Sequence, residues 1–190
     1  MSELDAATLS ACRHGDARAF EALVRAHQDA VFALCVALAG ADAEDLAQET
    51  FVRVHRSIRS FDPAGPATLK TWILRIARHQ CQDRARAARL RVERALAPGA
   101  EPPATEQSPE ERALAADLGQ RLRTAIAALP EEQRAVIALR EWNGLEYEAI
   151  AALEGVPIGT VRSRLARARE ALRAALAEDA AGRNQRACGR

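Results

Sequence analysis

VPIGTVRSRLARAREALRAAL, residues Val156–Leu176, is the stretch that indicates the fold most directly. Its apolar residues recur at intervals of four, three, four and four positions: Val161, Leu165, Ala168, Leu172 and Leu176. This spacing predicts one helix with a narrow buried stripe. At about 100° per residue, the opposite face carries Ser163, Ala166, Arg167 and Glu170, with Arg162 and Arg173 on one flank.

A second short periodic segment, 145–154, lies just upstream and ends at Gly155. Two short helices around a glycine-containing turn predict a helix-turn-helix, whose second helix could enter the major groove of DNA. Taken alone, the segment equally fits a solvated amphipathic hairpin, since charged helix faces commonly meet only water.

With 190 residues, the chain could form one compact domain or two small ones. Few aromatics (4%) and the absence of alternating β-branched runs indicate an all-α protein. The four cysteines lie far apart, without a CxxC motif or a histidine at metal-ligand spacing. We therefore expect free thiols, no metal and no cofactor. The first residues lack a basic and apolar leader, and no long uncharged apolar run follows, which predicts a cytoplasmic chain without membrane insertion.

The net charge of +1 conceals a strong segregation of charge along the chain. Residues 70–94 contain eight basic and two acidic side chains, whereas residues 100–120 contain five acidic and one basic. Such blocks cancel in the total but form distinct surfaces. The basic block predicts a contact with solvent or a polyanion.

Three helices are predicted in the N-terminal half, at 17–40, 42–59 and 68–92. Gly40 ends the first, Asp42 caps the second, and a Pro/Gly loop at 61–66 precedes the third. Cys35 and Cys81 are interpreted as small helix-packing residues. The second helix carries a polar face of mixed charge that packing does not explain.

Residues 96–108 hold three of the eight prolines, which predicts a flexible linker. A capping box at 108–111 then starts a helix to 129, and Pro130 starts another over 131–142. The sequence thus predicts two small helical domains, 10–94 and 109–177, joined by a linker at 95–108 and followed by a frayed tail at 178–190.

Three segments resemble the extracytoplasmic-function (ECF) group of bacterial sigma factors, in its RpoE-like branch. Asp42–Pro63 resembles sigma region 2.2, Thr71–Arg86 resembles regions 2.3 and 2.4, and Leu129–Leu172 resembles region 4. The resemblance implies a region 2-like bundle and a region 4-like helix-turn-helix. It also implies a non-enzymatic factor that binds core RNA polymerase and reads the −10 and −35 elements of promoter DNA.

The resemblance implies roles for three sets of residues. The region 2.2 helix of the family docks on the clamp helices of the polymerase β′ subunit, here through Asp45, Gln48 and Glu49. The −10 positions are Lys70, Trp72, Arg75, Arg78, His79, Asp83 and Arg86. The −35 positions are Thr160, Arg162, Ser163, Arg164, Ala166 and Arg167. The family further implies a contact with the β flap and an anti-sigma factor as inhibitor.

Four positions depart from the family pattern or have a second interpretation. His79 stands where Asn is common, which alters the donor and acceptor geometry offered to a base. Ala166 is small and offers only a methyl group, and Glu146 replaces a Ser that would cap its helix better. Trp72 has the spacing of a core residue, so packing is at least as good an interpretation as stacking on DNA.

Three other functions explain less of the sequence than a sigma factor does. A helix-turn-helix regulator without polymerase binding explains 162–173 but neither the polar face at 45–49 nor the basic third helix. A helical enzyme would use His14, His27, His55 or His79, but the sequence contains no HExxH, nucleophile elbow or phosphate loop. A purely structural adaptor leaves both basic surfaces unexplained.

Overall fold

The computed structural model describes residues 4–95 and 122–187, with side chains described for 4–91 and 122–177, and contains no strand in these ranges. The N-terminal domain contains α1 (Ala6–His14), α2 (Ala17–Ala39), α3 (Ala43–Ser57) and α4 (Leu69–Ala95). In the C-terminal domain, a helical segment at 122–127 precedes α5 (Glu131–Ile137), a π-helical turn (Ala138–Trp142), α6 (Tyr147–Glu154) and α7 (Ile158–Ala187). The all-α prediction is confirmed. The linker beyond Ala95 and the capping box at 108–111 lie outside the described residues.

The N-terminal domain is built around α2, which packs against both α3 and α4. Asp16 caps α2 by accepting a hydrogen bond from the Ala19 N–H at 2.8 Å. Gly40 ends the helix at φ +57°, a conformation that favours glycine, as predicted. The buried side chains of the helix include Leu23, His27, Val31, Leu34 and Cys35. One helical stripe therefore supplies the centre of the core.

Helix α1 is a feature that the sequence reasoning missed. Asp5 accepts a hydrogen bond from the Thr8 N–H at 2.6 Å, and Gly15 closes the helix at φ +90°. The guanidinium of Arg59 donates to the Arg13 carbonyl at 3.1 Å, which ties α1 to the turn after α3. Asp5 before the helix and Gly15 after it are typical of helix boundaries, so the sequence could have predicted this helix from them.

The predicted cap at Asp42 is wrong. Residues Gly40–Asp42 form a 3-10 turn that runs straight into α3, so Asp42 has φ −82° and ψ 5° rather than the extended conformation of a capping residue. Its side chain makes no capping hydrogen bond. The carboxylate instead accepts from Arg84 at 2.8 Å and so links α3 to α4.

The C-terminal domain has the predicted helix-turn-helix, made by α6 and α7. Gly155 ends α6 at φ +66°, and Val161, Leu165 and Ala168 of α7 are buried, which confirms the apolar stripe. The predicted helix over 131–142 changes to a π-helical turn at Ala138. Helix α7 continues to Ala187, whereas the prediction left 178–190 as a frayed tail.

The two domains pack directly against each other. Helix α2 contacts α5 and the π-helical turn, and α4 contacts α6. Buried apolar side chains of both domains belong to one continuous cluster, which includes Leu34 of the first domain and Leu139 of the second. The sequence predicted both domains but not this arrangement.

Replacing Glu146 by Ser is expected to stabilise the C-terminal domain by up to about 1 kcal/mol. Glu146 precedes α6 in an extended conformation and makes no side-chain capping bond. Its ion pair with Arg140 at 3.1 Å is largely exposed and contributes little. Thermal unfolding followed by circular dichroism measures the change. Glu148→Ser lies within α6 and serves as a control that should give no increase in Tm.

Candidate polymerase and nucleic-acid interfaces

The start of α7 presents most of the predicted −35 residues on one exposed face. The exposed set is Arg162, Ser163, Ala166 and Arg167. Thr160 is half-buried in the first turn, where its carbonyl accepts a hydrogen bond from the Ser163 hydroxyl at 3.0 Å. Two guanidinium groups and a hydroxyl at the start of an exposed helix have the donors that base edges and phosphates accept.

Arg164 and Arg169 lie away from this exposed face. Arg169 binds the Glu141 carboxylate through two nitrogens, at 3.1 and 2.6 Å, so it contacts the protein itself. Arg164 is half-buried and lines a polar cavity of about 290 Å³ between the two domains, together with Arg86 and Glu131. The structure therefore separates Arg164 from the rest of the predicted −35 set.

Helix α4 divides the predicted −10 residues between two sides. The exposed side carries Arg75, His79, Asp83 and Arg86. Asp83 and Arg86 form an exposed ion pair at 3.2 Å. The other side faces the core and the C-terminal domain and carries Trp72, Arg78 and, at the start of the helix, Lys70.

Trp72 lies in the core of the N-terminal domain. It is 9% exposed, and its ring lies 5.3 Å from the ring of Phe61 at an angle of 49°. This is the packing interpretation that its spacing with Ile73 allowed. A residue in this position supports the loop before α4 rather than offering a free stacking surface.

Arg78 is buried in the contact between the domains, with 3% of its side chain exposed. Its Nε donates to Glu154 at 2.9 Å, and one terminal nitrogen donates to Glu131 at 2.8 Å. The second terminal nitrogen reaches the other Glu154 oxygen at 3.4 Å. Burial alone would lower the pKa of Arg78, but the hydrogen bonds and charges of both carboxylates outweigh burial, so the pKa is raised.

Lys70 borders a second cavity and also contacts the C-terminal domain. Its ammonium donates to the Asn143 carbonyl, and burial lowers the pKa of Lys70. The cavity, about 290 Å³, is lined by the loop before α4 together with Leu9 and His27. Sequence reasoning missed this cavity, although a Pro/Gly loop directly before a basic helix was the available signal.

His27 is a buried histidine without a hydrogen-bond partner among the described residues for either ring nitrogen. Burial, and then the charge of Lys70, lowers the pKa of His27. As the pH falls below about 6.5, the unfolded chain takes up a proton on His27 before the folded chain does. The free energy of unfolding is therefore unaffected by His27 above this pH and decreases below it. The slope reaches at most about 1.4 kcal/mol per pH unit.

The variant H27L should therefore lose less stability than the wild type between about pH 7 and about pH 5.5. Urea unfolding at both values measures the free energy of unfolding. His79 is exposed, so H79L is the matched control for the loss of a histidine, and H27L should lose less stability than H79L over this pH range. Equal acid sensitivity in H27L and the wild type would contradict the assignment to His27.

The predicted polymerase-binding residues lie together on α3. Asp45, Gln48 and Glu49 are exposed and line a shallow depression with Val52, which is 50% exposed. Glu49 also accepts from Arg84 at 3.3 Å. An exposed apolar side chain ringed by polar groups is typical of a docking surface. Sequence reasoning missed Val52, although an apolar residue on an otherwise polar helix face could have indicated it.

None of the helices within the described ranges is both long and apolar enough to span a membrane. The same residues include no group of three or more His, Cys, Asp or Glu side chains placed to hold a metal ion.

Comparison with known proteins follows the same division into two domains. Sigma-70 region 2 matches residues 23–91, and Sigma-70, region 4 matches residues 119–172. The RNA polymerase sigma-H factor of Pseudomonas aeruginosa is 35% identical, over 92% of this chain and 94% of its own length. The ECF RNA polymerase sigma-E factor of Escherichia coli K12 is 34% identical, over 83% and 86%.

A third relative is longer than this chain. The ECF RNA polymerase sigma factor SigE of Mycolicibacterium smegmatis is 41% identical over 84% of this chain, but the match spans only 62% of that relative. Among solved structures, RpoE of Bartonella quintana in complex with the anti-sigma factor NepR is 30% identical, with a TM-score of 0.68 over 83% of this chain and 96% of that one. CnrH in complex with the cytosolic domain of CnrY gives 27% and 0.61, over 91% and 97%.

The sigma-H and sigma-E factors match this chain over most of their own length. The chain belongs to the ECF group of RNA polymerase sigma factors.

Proposed function

We propose that this chain binds core RNA polymerase and directs it to promoters that the chain reads at the −35 and −10 elements. One observation carries the proposal: the chain exposes an arginine-bearing helix-turn-helix face, a basic face on α4 and a polar docking face on α3. The polymerase performs the chemistry, so the chain acts as a non-catalytic factor. Since core polymerase works on chromosomal DNA, its site of action is the cytoplasm.

The −35 element is assigned to the start of α7. Residues near the beginning of a recognition helix lie closest to the base edges in the major groove. Arg162 and Arg167 can each donate two hydrogen bonds to a guanine, and Ser163 can bind a phosphate or a base. Ala166 offers a methyl contact. Arg164 is left out of this set because it lines the cavity between the domains.

The −10 element is assigned to the exposed side of α4 and the neighbouring loop. Melted DNA requires cationic contacts along its backbone and a concave place for an unstacked base. Arg75 and Arg86 supply the exposed charge, and the cavity beside Lys70 supplies the concave surface. His79 is exposed at the position where the family commonly has Asn, so we expect an altered −10 preference.

The polymerase contact is assigned to α3, through Asp45, Gln48, Glu49 and the exposed Val52. The β′ clamp helices are the partner for this face, and the C-terminal domain would reach the β flap. An apolar centre with a charged rim gives both affinity and orientation. Two DNA contacts and one polymerase contact on a single chain reinforce one another through effective concentration.

An anti-sigma factor is the proposed inhibitor. RpoE of Bartonella quintana is solved with the anti-sigma factor NepR, and CnrH with the cytosolic domain of CnrY. Both relatives match this chain across its two domains, so a protein of that class would find the corresponding surfaces here.

Association with core polymerase tests the proposal against a helix-turn-helix regulator that acts alone. We expect the full chain to co-elute with purified core enzyme on size exclusion, and to bind promoter DNA tightly only in that complex. A chain that binds duplex DNA but never core enzyme would instead be the regulator.

A further inference from the structure

Two buried thiols lie side by side in the core of the N-terminal domain. Cys35 of α2 and Cys81 of α4 are 46 positions apart in the sequence, and their sulfur atoms lie 4.0 Å apart. Cys35 is fully buried, Cys81 is 4% exposed, and both are free thiols. Packing alone does not require sulfur at either position, because a free cysteine packs as a small apolar side chain. The pair therefore places two oxidisable groups in contact.

We propose that Cys35 and Cys81 form a peroxide-reactive dithiol site, in which oxidation makes a reversible disulfide between α2 and α4. The bond fastens the helix that carries the basic face to the central helix of its domain. This inference concerns the core of the N-terminal domain and does not depend on the proposed function.

The distance between the two sulfurs and the packing of their helices allow the bond to form. A disulfide is about 2.05 Å long, so the two sulfurs must approach each other by about 2 Å. Each sulfur moves by rotation about its own Cα–Cβ bond. Because α2 and α4 already pack directly against each other, closure requires a change of side-chain rotamer and no new contact between helices.

Cys81 is the thiol of the pair that a small oxidant can reach. It lies one helical turn from both Arg78 and Ala85, on the same side of α4. These two neighbours line the polar cavity of about 290 Å³ between the domains. Hydrogen peroxide is small and polar, so this cavity gives it a path to Cys81, whereas Cys35 has no exposed surface.

The surroundings of Cys81 favour its thiolate. The hydrogen bond from Cys35 lowers the pKa of Cys81, and the positive charges of Arg78 and Arg84 lower it further. These effects outweigh burial and the negative charge of Glu131, which raise it. The same hydrogen bond, and then burial, raises the pKa of Cys35. Because the thiolate is the nucleophile, Cys81 attacks the oxidant and Cys35 is the resolving thiol.

The reaction takes two steps, with hydrogen peroxide as the oxidant. The Cys81 thiolate attacks one peroxide oxygen, the O–O bond breaks, and a sulfenic acid and hydroxide form. The Cys35 sulfur then attacks the Cys81 sulfur, so that the S–S bond forms and the S–O bond breaks. Each hydroxide leaves as water, with the Cys81 proton in the first step and the Cys35 proton in the second. Two electrons pass from the thiols to the peroxide.

Peptide mapping of the wild-type chain is the first test. The folded chain is treated with a small molar excess of hydrogen peroxide, blocked with iodoacetamide and digested with trypsin. Peptide 26–53, which contains Cys35, should be joined to peptide 79–84, which contains Cys81. We expect this pair in at least about tenfold excess over any other cysteine pair. Dithiothreitol should separate it, and in urea the excess should disappear, because loop length alone then decides the pairing.

Single alanine variants test the two assigned roles. In C35A, Cys81 should still react with peroxide, but without a resolving thiol it should proceed to a sulfinic acid that dithiothreitol does not reverse. In C81A, Cys35 should stay reduced, because it is fully buried. Cys12 is a buried thiol on α1, so C12A is the matched control and should keep the cross-link. Circular dichroism verifies the helix content of each variant.

Thermal unfolding measures whether the bond fastens the two helices. The oxidised wild-type chain should have a Tm at least about 4 °C above that of the reduced chain, because the bond restricts the unfolded chain. Differential scanning calorimetry gives the Tm before peroxide, after peroxide, and again after dithiothreitol. The same treatment of C35A should give no increase.

A different result in any of these experiments overturns the inference. Without the joined peptides in the folded chain, or with an equal yield in urea, the two cysteines are only a packing contact. Oxidation of Cys35 in C81A would reverse the assigned roles. An unchanged or lower Tm in the oxidised chain would show that the bond does not fasten α2 to α4.

Discussion

The variant R162E/R167E is expected to lose −35-dependent initiation by at least about a hundredfold. Each bidentate contact of an arginine with a guanine contributes about 1–3 kcal/mol, and a carboxylate in its place also repels the phosphates. Both residues are exposed on the same face of α7, so the loss should combine contributions from both. Run-off transcription from promoters with and without a −35 element measures the effect.

Arg173 provides a matched control for this variant. It is exposed on the same helix but lies about three turns further from the helix start, beyond the residues that reach base edges. R173E should retain most of the activity, and both variants should bind core enzyme as the wild type does. Undiminished −35-dependent initiation in R162E/R167E would show that this face does not read DNA.

Reversing the charge of the α3 face, as D45K/E49K, is expected to weaken core polymerase binding by at least about thirtyfold. Bringing like charges together across an interface costs several kcal/mol, and about 2 kcal/mol already gives this factor. Both side chains are exposed, so the fold should survive, although Glu49 loses its bond to Arg84. Fluorescence anisotropy with labelled chain and purified core enzyme measures the affinity.

Asp29 is exposed on α2 and does not line the depression on α3, so D29K is the control. It should leave core affinity within a few-fold of wild type. Equal weakening by D29K would indicate a general charge effect, and full binding by D45K/E49K would place the polymerase contact elsewhere.

Local features were predictable because they depend on neighbouring residues. The stripe Val161, Leu165 and Ala168 follows from helical spacing alone, and glycines at 40 and 155 end their helices as expected. The cap at Asp42 was wrong because the choice between capping and pairing with Arg84 depends on a helix 42 positions away. Intrinsic preference decides such a choice only when no distant partner competes.

The contacts that Arg78 makes between the two domains could not be predicted for the same reason. In the sequence it is one of several arginines at similar spacing on a basic helix. Its partners Glu131 and Glu154 lie 53 and 76 positions away, across residues 96–121. Hydrophobic periodicity places a residue on a face of its own helix, but it does not tell which other surface that face meets.

Core-dependent run-off transcription on a library of promoter sequences tests the central claim most directly. Purified core enzyme should initiate specifically only when this chain is added, and the selected templates should share two conserved blocks at −35 and −10 separated by a fixed spacer. The chain alone, without core enzyme, should select no such pair. Initiation that does not depend on the chain, or selected templates without two spaced blocks, would contradict the account.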